Sequence, residues 1–277
     1  MINKKVVICC PVKNEQKTLN RFFKLISKLI YNSLDYFIIF VESDSTDKSV
    51  YLIEKFLKNK KGTLLRFANN QNFNRLKNLE ISRNKYLDYI SNSDELIKFD
   101  YLMAIDVDGV NNKLEFQDLD KSIKMLDDWT AIFPSQKFLY YDIFALRLNK
   151  LLNDSYVNII KDDFKNKKFK NLKSNFSFNL KKYFFLRKLV DKRFIEVDSA
   201  FGGMGLYKLK RIIEFRYDSL NGSQCEHVKL NKDLSKKYGN LFIDFKLINS
   251  YGINIHTING ILCSNINFFA KRFFEKF

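Results

Sequence analysis

Tyr101-Leu102-Met103-Ala104-Ile105-Asp106-Val107-Asp108-Gly109 is the stretch on which the fold turns. An apolar run predicts a strand, and it stops at two aspartates one residue apart and a glycine. A polar loop follows, then a helix candidate near Glu115 to Leu126. Toward the N-terminus the same strand, loop and helix order recurs. Lys5 to Cys10 reads as a buried strand. Leu19, Phe22, Phe23, Leu25, Ile26, Leu29 and Ile30 are apolar at helical spacing, and Tyr36 to Val41 reads as a second strand. Asp47 to Lys58 is a helix candidate, Thr63 to Phe67 a strand and Asn74 to Ile90 a longer helix. Strands alternating with helices in this way predict an α/β fold, a mostly parallel sheet flanked by helices.

Toward the C-terminus, Thr130 to Pro134 reads as another strand and Phe138 to Leu151 as an aromatic-rich segment. From Asn153 to Lys192 the periodicity fails in a charged, Asn-rich run, which reads as an inserted, basic, partly mobile subdomain or lid. Order returns at Phe194 to Ala200, with a last strand expected near Ile253 to Ile258. The basic, aromatic tail from Phe268 to Phe277 suits either an interfacial helix on anionic lipid or a helix packed on the domain. The helix from Asn74 places Leu76, Leu79, Arg83, Tyr86 and Ile90 at alternating steps of three and four, so Arg83 falls on the buried stripe. A buried arginine needs a carboxylate or a phosphate; the alternative is a side chain that snorkels from the stripe's edge.

Composition bounds the chemistry. At 277 residues the chain has room for one catalytic domain with a substantial core. A formal net charge of +17, from 48 Lys+Arg against 31 Asp+Glu, attracts phosphorylated substrates, anionic lipid or polyanions. The sequence carries no zinc-finger spacing, RNA-recognition signature or P-loop, so nucleic acid is not the expected partner. Cys9, Cys10, Cys225 and Cys263 have neither zinc nor C-x-x-C spacing and read as free thiols. With no apolar run long enough to span a bilayer, the expected location is cytoplasmic, with peripheral contact to the inner face of a membrane as an option.

In an open α/β sheet, ligands bind outside the carboxyl ends of the strands. Residues there share a character in this chain: Pro11, Asn14 and Glu15 after the first strand, Glu42, Ser43, Asp44, Ser45, Thr46 and Asp47 after the second, Asp106 and Asp108 after the fourth. Ser45 to Asp47 also suits a helix start, and a lone D-x-D is a common turn; the combination is what carries weight. Carboxylate oxygens hold a hard cation such as Mn²⁺ or Mg²⁺, which stabilises the charge that develops on a departing diphosphate. Asp108 is the expected metal ligand and Asp106 the contact on the nucleotide side, with a share in the metal.

These motifs resemble glycosyltransferases of the GT-A fold, especially family-2-like enzymes and the capsule-associated mannosyltransferase-like group. Pro11-Val12-Lys13-Asn14-Glu15 is similar to the family's first-strand nucleotide motif, and Glu42-Ser43-Asp44-Ser45-Thr46-Asp47 to its acidic second-strand motif, with Ser43 where a second Asp is usual. Arg83-Asn84 resembles the Arg-Asn of the helix before the D-x-D strand, and Asp106-Val107-Asp108 the D-x-D itself. The likeness extends over about residues 5 to 135 and is patchier beyond. It implies a single GT-A (Rossmann-like) domain with an inserted basic helical segment. Its implied activity is metal-dependent transfer of a hexose from a nucleotide-sugar donor to a glycan or lipid-linked acceptor. It further implies an acceptor loop at Gly202-Gly203-Met204-Gly205, acid-base chemistry at Glu226 or His227 in place of the family's Glu-Asp pair, and His256 as a metal ligand beside Asp108. Tyr141 and Asp142, in the aromatic segment, are candidate acceptor contacts, with a place in the core as the alternative. The competing readings are a nucleotidyltransferase, which would need a Gly-rich loop that Pro11 to Lys17 lacks, and a degenerate basic binding module.

Overall fold

The computed structural model describes residues 2–31, 33–68, 73–137, 140, 142, 144–148 and 192–251. The expected insertion, the last strand near Ile253 to Ile258 and the basic tail therefore lie outside the described residues, apart from Lys192 at the insertion's end.

Strand β1 (Ile2–Val12) is apolar on both faces, and Val6, Val7, Ile8, Cys9 and Cys10 are fully buried. A strand covered by helices on both sides reads as this kind of unbroken apolar run. Its alternating side chains feed two separate cores. Val7 and Cys9 pack with Tyr86, Leu87 and Ile90 of α3 (Arg75–Ser91), while Val6, Ile8 and Cys10 pack with Leu19, Phe22 and Ile26 of α1 (Gln16–Tyr31). The adjacent cysteines thus face opposite layers as small buried hydrophobes.

The remaining described elements are β2 (Ser33–Ser43), α2 (Ser49–Leu57), β3 (Gly62–Phe67), a short 3-10 turn (Leu96–Lys98), β4 (Tyr101–Ile105), α4 (Phe116–Met125), β5 (Ala131–Gln136), β6 (Phe194–Glu196), β7 (Met204–Lys208), α5 (Leu209–Ile212), α6 (Glu226–Tyr238) and β8 (Leu241–Ser250). Among the described residues the strands form one eight-stranded sheet in the order β3-β2-β1-β4-β7-β5-β8-β6. Strands β3, β2, β1, β4, β5 and β8 run in one direction, and β7 and β6 run against them. The expected mostly parallel α/β sheet is the observed one. Its topology brings the ends of β1, β2, β4, β5 and β8 and the start of β7 to a single edge.

Three differences from the expected elements have physical causes. Strand β8 was not foreseen, because Asp244, Lys246 and Asn249 interrupt its apolar alternation. Asp244 is nonetheless fully buried, held by Arg193 (Nη2 to Oδ2, 2.8 Å) and Ser122 (Oγ to Oδ2, 2.6 Å). The buried stripe of α3 includes Glu80, Arg83, Leu87 and Ile90, whereas Leu76 and Leu79 are only partly covered. Glu80 turns inward because its Oε2 accepts from both the backbone N and the Oγ of Ser219, 2.9 and 2.5 Å away. Gly205 belongs to strand β7 rather than to a glycine loop. The ring of Tyr207 lies across it, so a Cβ there would stand 2.6 Å from Tyr207 Cε2. No described helix is long and apolar enough to cross a membrane.

Candidate active site

The loops after β1 and β2 are tied to each other. Asn14 and Asp44 both adopt positive φ, 56° and 51°, a conformation that Asn and Asp tolerate better than other non-glycine residues. The Asn14 backbone N donates to Ser45 Oγ (2.9 Å), and Asn14 Oδ1 accepts from the Thr46 N (2.8 Å). Glu15 N donates to Ser49 Oγ (2.8 Å). Asp47 accepts from Gln16 N through one oxygen (3.0 Å) and from Ser49 N through the other (2.9 Å). Glu42 is buried, accepts from the Ser45 N and lies 3.6 Å from Arg66 Nε. Asn14, Glu42 and Asp47 therefore shape a double loop, while Asp44 stands exposed on its rim. Pro11 pairs with Val41 one residue before the pairing of β1 ends at Val12 beside Glu42.

At the end of β4, Asp106 is pinned on every side. Its backbone N donates to Gly203 O (2.9 Å), its backbone O accepts from Asn111 Nδ2 (3.0 Å), and its Oδ1 accepts from Arg83 Nη2 (2.9 Å). Burial pushes the Asp106 carboxyl up to about 7 against the pull of Arg83, and the neighbouring Asp108 charge adds to the rise. Asp108 is exposed, with Oδ1 accepting from the Val110 N at 3.1 Å. Burial likewise raises Glu15, whose Oε2 accepts from Thr18 Oγ1; Asp108 contributes to that shift, so the ends of β1 and β4 share one space. Two carboxylates on adjacent turns suit a small hard cation, which takes one or two protein carboxylates and completes its shell with water and phosphate oxygens. Among the described residues no three His, Cys, Asp or Glu side chains gather as a fuller metal cage. His256 lies outside the described residues, as does Tyr141.

Arg83 is 1% exposed and bridges two carboxylates, with Nη2 on Asp106 and Nε on Glu226 Oε1, both at 2.9 Å. Its guanidinium also lies 4.8 Å from the Phe201 ring centroid and 5.8 Å from that of Tyr217. Although burial opposes the charge, Asp106 and then Glu226 keep the group firmly protonated. The neighbouring Asn84 holds the Tyr217 backbone from both sides, donating to its O and accepting from its N, each at 2.9 Å. Of the two readings the sequence left open, Arg83 is the buried, carboxylate-paired arginine.

Glu226 and His227, at the start of α6, are almost wholly enclosed, at 2% and 1% exposure. The His227 ring stacks on Phe201 with centroids 3.7 Å apart, and among the described residues neither ring nitrogen has a hydrogen-bond partner. Burial, with Arg83 adding to it, drives the imidazole well below its ordinary range. It is neutral, so its 3.5 Å approach to Glu226 is not an ion pair.

Gly202 and Gly203 take φ of 65° and 90°, which a side chain would strain. A Cβ on Gly202 would also press on Gln136 Nε2 (3.2 Å) and Tyr140 Oη (3.3 Å). A ladder of buried amides, absent from the sequence reading, fixes this turn. Asn249 Nδ2 donates to Gly202 O (2.7 Å) and Asn111 Oδ1 (2.8 Å), Asn111 Nδ2 to Gly203 O (2.9 Å), and Gln136 Nε2 to Asn249 Oδ1 (2.9 Å). The signal for Asn249 was its register: it continues the buried positions Leu241, Ile243 and Leu247 of β8. Asn249→Leu preserves bulk but strands these partners, and is expected to cost about 2 kcal/mol, the penalty for buried polar groups left unmatched. Chemical denaturation measures it, and an unchanged midpoint would remove the ladder as the turn's support. Asp142 meets the same turn from the other side, its Oδ2 accepting from Gly202 N at 3.1 Å.

Comparison with known proteins follows the same outline. Residues 7–124 match the family model described as Glycosyl transferase family 2. No curated protein matches the chain. Among solved structures, the mannosyltransferase PcManGT from Pyrobaculum calidifontis, in complex with GDP-Man and Mn²⁺, aligns with a TM-score of 0.55 and 10% identity over 92% of this chain and 59% of that one. Residues 1–349 of S. aureus TarS, in complex with UDP, align with a TM-score of 0.50 and 11% identity over 86% of this chain and 57% of that one. The chain thus spans under two thirds of either, and at such identity the likeness concerns the fold.

Proposed function

We propose that this chain, whose residues 7–124 match the Glycosyl transferase family 2 model and whose fold is that of the GT-A glycosyltransferases, transfers a hexose from a nucleoside-diphosphate sugar to a hydroxyl of a glycan or lipid-linked acceptor, with a divalent cation held at Asp106 and Asp108. The observation that carries this reading is the convergence, on one edge of a parallel sheet, of the loop pair after β1 and β2 with the Asp106–Gly109 turn. In such a sheet that edge is where a nucleotide lies.

Each part has a role in the proposal. Pro11, Asn14, Glu15, Glu42, Asp44 and Asp47 form the wall for the nucleoside, with Asp44 on the exposed rim. Asp108 and Asp106 supply oxygen ligands, and a bound Mn²⁺ or Mg²⁺ would stabilise the charge developing on the leaving diphosphate. Arg83 aims Asp106 by pairing with it and pulls its carboxyl toward the ionised form against the effect of burial, and it fixes Glu226 at the same time, so Glu226 acts as a positioning residue. The Gly202–Gly203 turn, lacking side chains, lets an acceptor sugar approach the backbone. The mannosyltransferase of the same fold that carries GDP-Man and Mn²⁺ supports a nucleotide-sugar and a metal here.

The test is thermal unfolding with UDP or GDP, each with and without Mn²⁺. A ligand at 100 times its Kd raises stability by about 2.7 kcal/mol, and so lifts the midpoint by several degrees. The expected result is a rise with one nucleotide that requires the metal. No rise with either would sink the proposal.

A further inference from the structure

We propose that Asp142 is the general base that takes the proton from the acceptor hydroxyl. The inference rests on the transferase reading above and adds to it the identity of the group that activates the nucleophile.

Among the described residues, Glu226, His227 and Asp142 are the candidates for the base near the Gly202–Gly203 turn, and geometry separates them. Glu226 has its Oε1 on Arg83 Nε and is 3% open at the side chain, so the guanidinium fixes its position. His227 is sealed between Phe201 and Tyr217, with ring centroids 3.7 and 5.3 Å away. A group that no substrate atom reaches cannot take a substrate proton, since proton transfer needs hydrogen-bond contact or one bridging water. Asp142 is partly open. Its carboxylate is anchored by backbone donors at fixed points, Gly202 N to Oδ2 (3.1 Å) and Ala145 N to Oδ1 (3.3 Å). The peptide beyond Gly202 leads directly to Gly203 O, which accepts from the Asp106 N. A rigid turn of two glycines therefore separates the proposed base from the proposed metal and diphosphate side, and a sugar lying over it touches both.

The electrostatics agree with this assignment. Burial pushes Asp142 up to about 6 despite the two backbone donors; Glu226 adds to the rise and Arg83 offsets it. Among the described residues, Tyr140 and Cys225 also feel its charge, and burial holds both in their neutral forms well above neutrality. A base with a pKa just under the working pH is ionised yet basic enough to accept a proton. In the step, the acceptor oxygen forms a bond to the anomeric carbon as the carbon–oxygen bond to the diphosphate breaks. The bonding pair leaves on the nucleoside diphosphate, and the hydroxyl proton passes to Asp142. A single displacement of this kind inverts the anomeric centre.

The experiment uses the full chain with Mn²⁺ and a panel of UDP- and GDP-sugars, and water serves as the acceptor. Nucleotide release is followed against pH, and metal-dependent nucleotide binding is measured in parallel. The wild type is expected to speed up as pH rises through about 6, where Asp142 loses its proton. Asp142→Asn is expected to bind nucleotide within about twofold of wild type and to release it at least about 100-fold more slowly, without the pH rise, as loss of a general base does. Added formate is expected to accelerate Asp142→Ala but not Asp142→Asn, because only the truncated side chain leaves room for a substitute carboxylate. The assignment is overturned if Asp142→Asn turns over at the wild-type rate or keeps the pH rise, or if formate leaves a nucleotide-binding Asp142→Ala unchanged. A wild type that neither binds nucleotide with metal nor releases it from any donor overturns the transferase reading, and with it the assignment.

Discussion

Arg83→Met is expected to lower the thermal midpoint of the protein by about 10 °C. Methionine occupies similar space between Phe201 and Tyr217 but leaves Asp106 and Glu226 without their shared counter-charge. Removing one partner from a buried ion pair typically costs about 3–5 kcal/mol, because the remaining charge is stranded rather than merely unpaired. In a domain of this size each kcal/mol moves the midpoint by roughly 2–4 °C. The companion measurement is a double substitution. Glu226→Gln alone removes the negative charge that Arg83 Nε pairs with and should destabilise, whereas Glu226→Gln added to Arg83→Met removes a stranded charge and should restore part of the loss. Coupling between contacting groups of about 1–3 kcal/mol is expected from such a cycle. Additive effects would mean that Arg83 and Glu226 do not act as a unit, whatever their 2.9 Å separation.

Asp108→Ala is expected to behave in the opposite way, leaving the fold alone and removing the ligand response. Asp108 is exposed, and its hydrogen bond to the Val110 N is local, so unfolding without ligand should shift by no more than about 1 kcal/mol. Metal-dependent nucleotide binding should weaken at least about 100-fold, since even residues that only orient a metal's ligands cost 10–100-fold when lost. Isothermal titration with UDP or GDP in Mn²⁺ reads this directly. Retained affinity in Asp108→Ala would move the metal away from the β4 turn. The two variants together separate what Asp106 does for the fold, through Arg83, from what the acidic turn does for the ligand.

The sequence was informative wherever a structural requirement is local. Buried parallel strands need unbroken apolar runs, amphipathic helices need a period near 3.6, and turns at strand ends need Asn, Asp or Gly. Lys5 to Cys10, Tyr36 to Val41, Tyr101 to Ile105 and the helices between them were therefore readable, and with them the α/β class and the position of Asp106 and Asp108 at a strand end. The same logic put Arg83 on a buried stripe, but not what it meets there. Its partners, Asp106 and Glu226, lie 23 and 143 residues along the chain, and only the sheet order β1-β4-β7 and the packing of α6 against α3 bring them together.

Tertiary structure also decided matters on which a linear pattern is silent. Asn249, Gln136 and Asn111 look like polar loop or strand-end residues until β5 and β8 are aligned so that their ends meet the Gly202–Gly203 turn. The family resemblance pointed to Glu226 and His227 for acid-base chemistry; tertiary packing encloses both almost completely and pairs Glu226 with Arg83, whereas Asp142 is only half-buried. The D-x-D turn itself was fully specified by sequence, because strand, turn and acidic residues are contiguous. Whether Asp106 faces a cation, an arginine or both is a question of long-range packing: a carboxylate's role follows from the charges and donors around it, and those arrive from strands and helices far away in the chain.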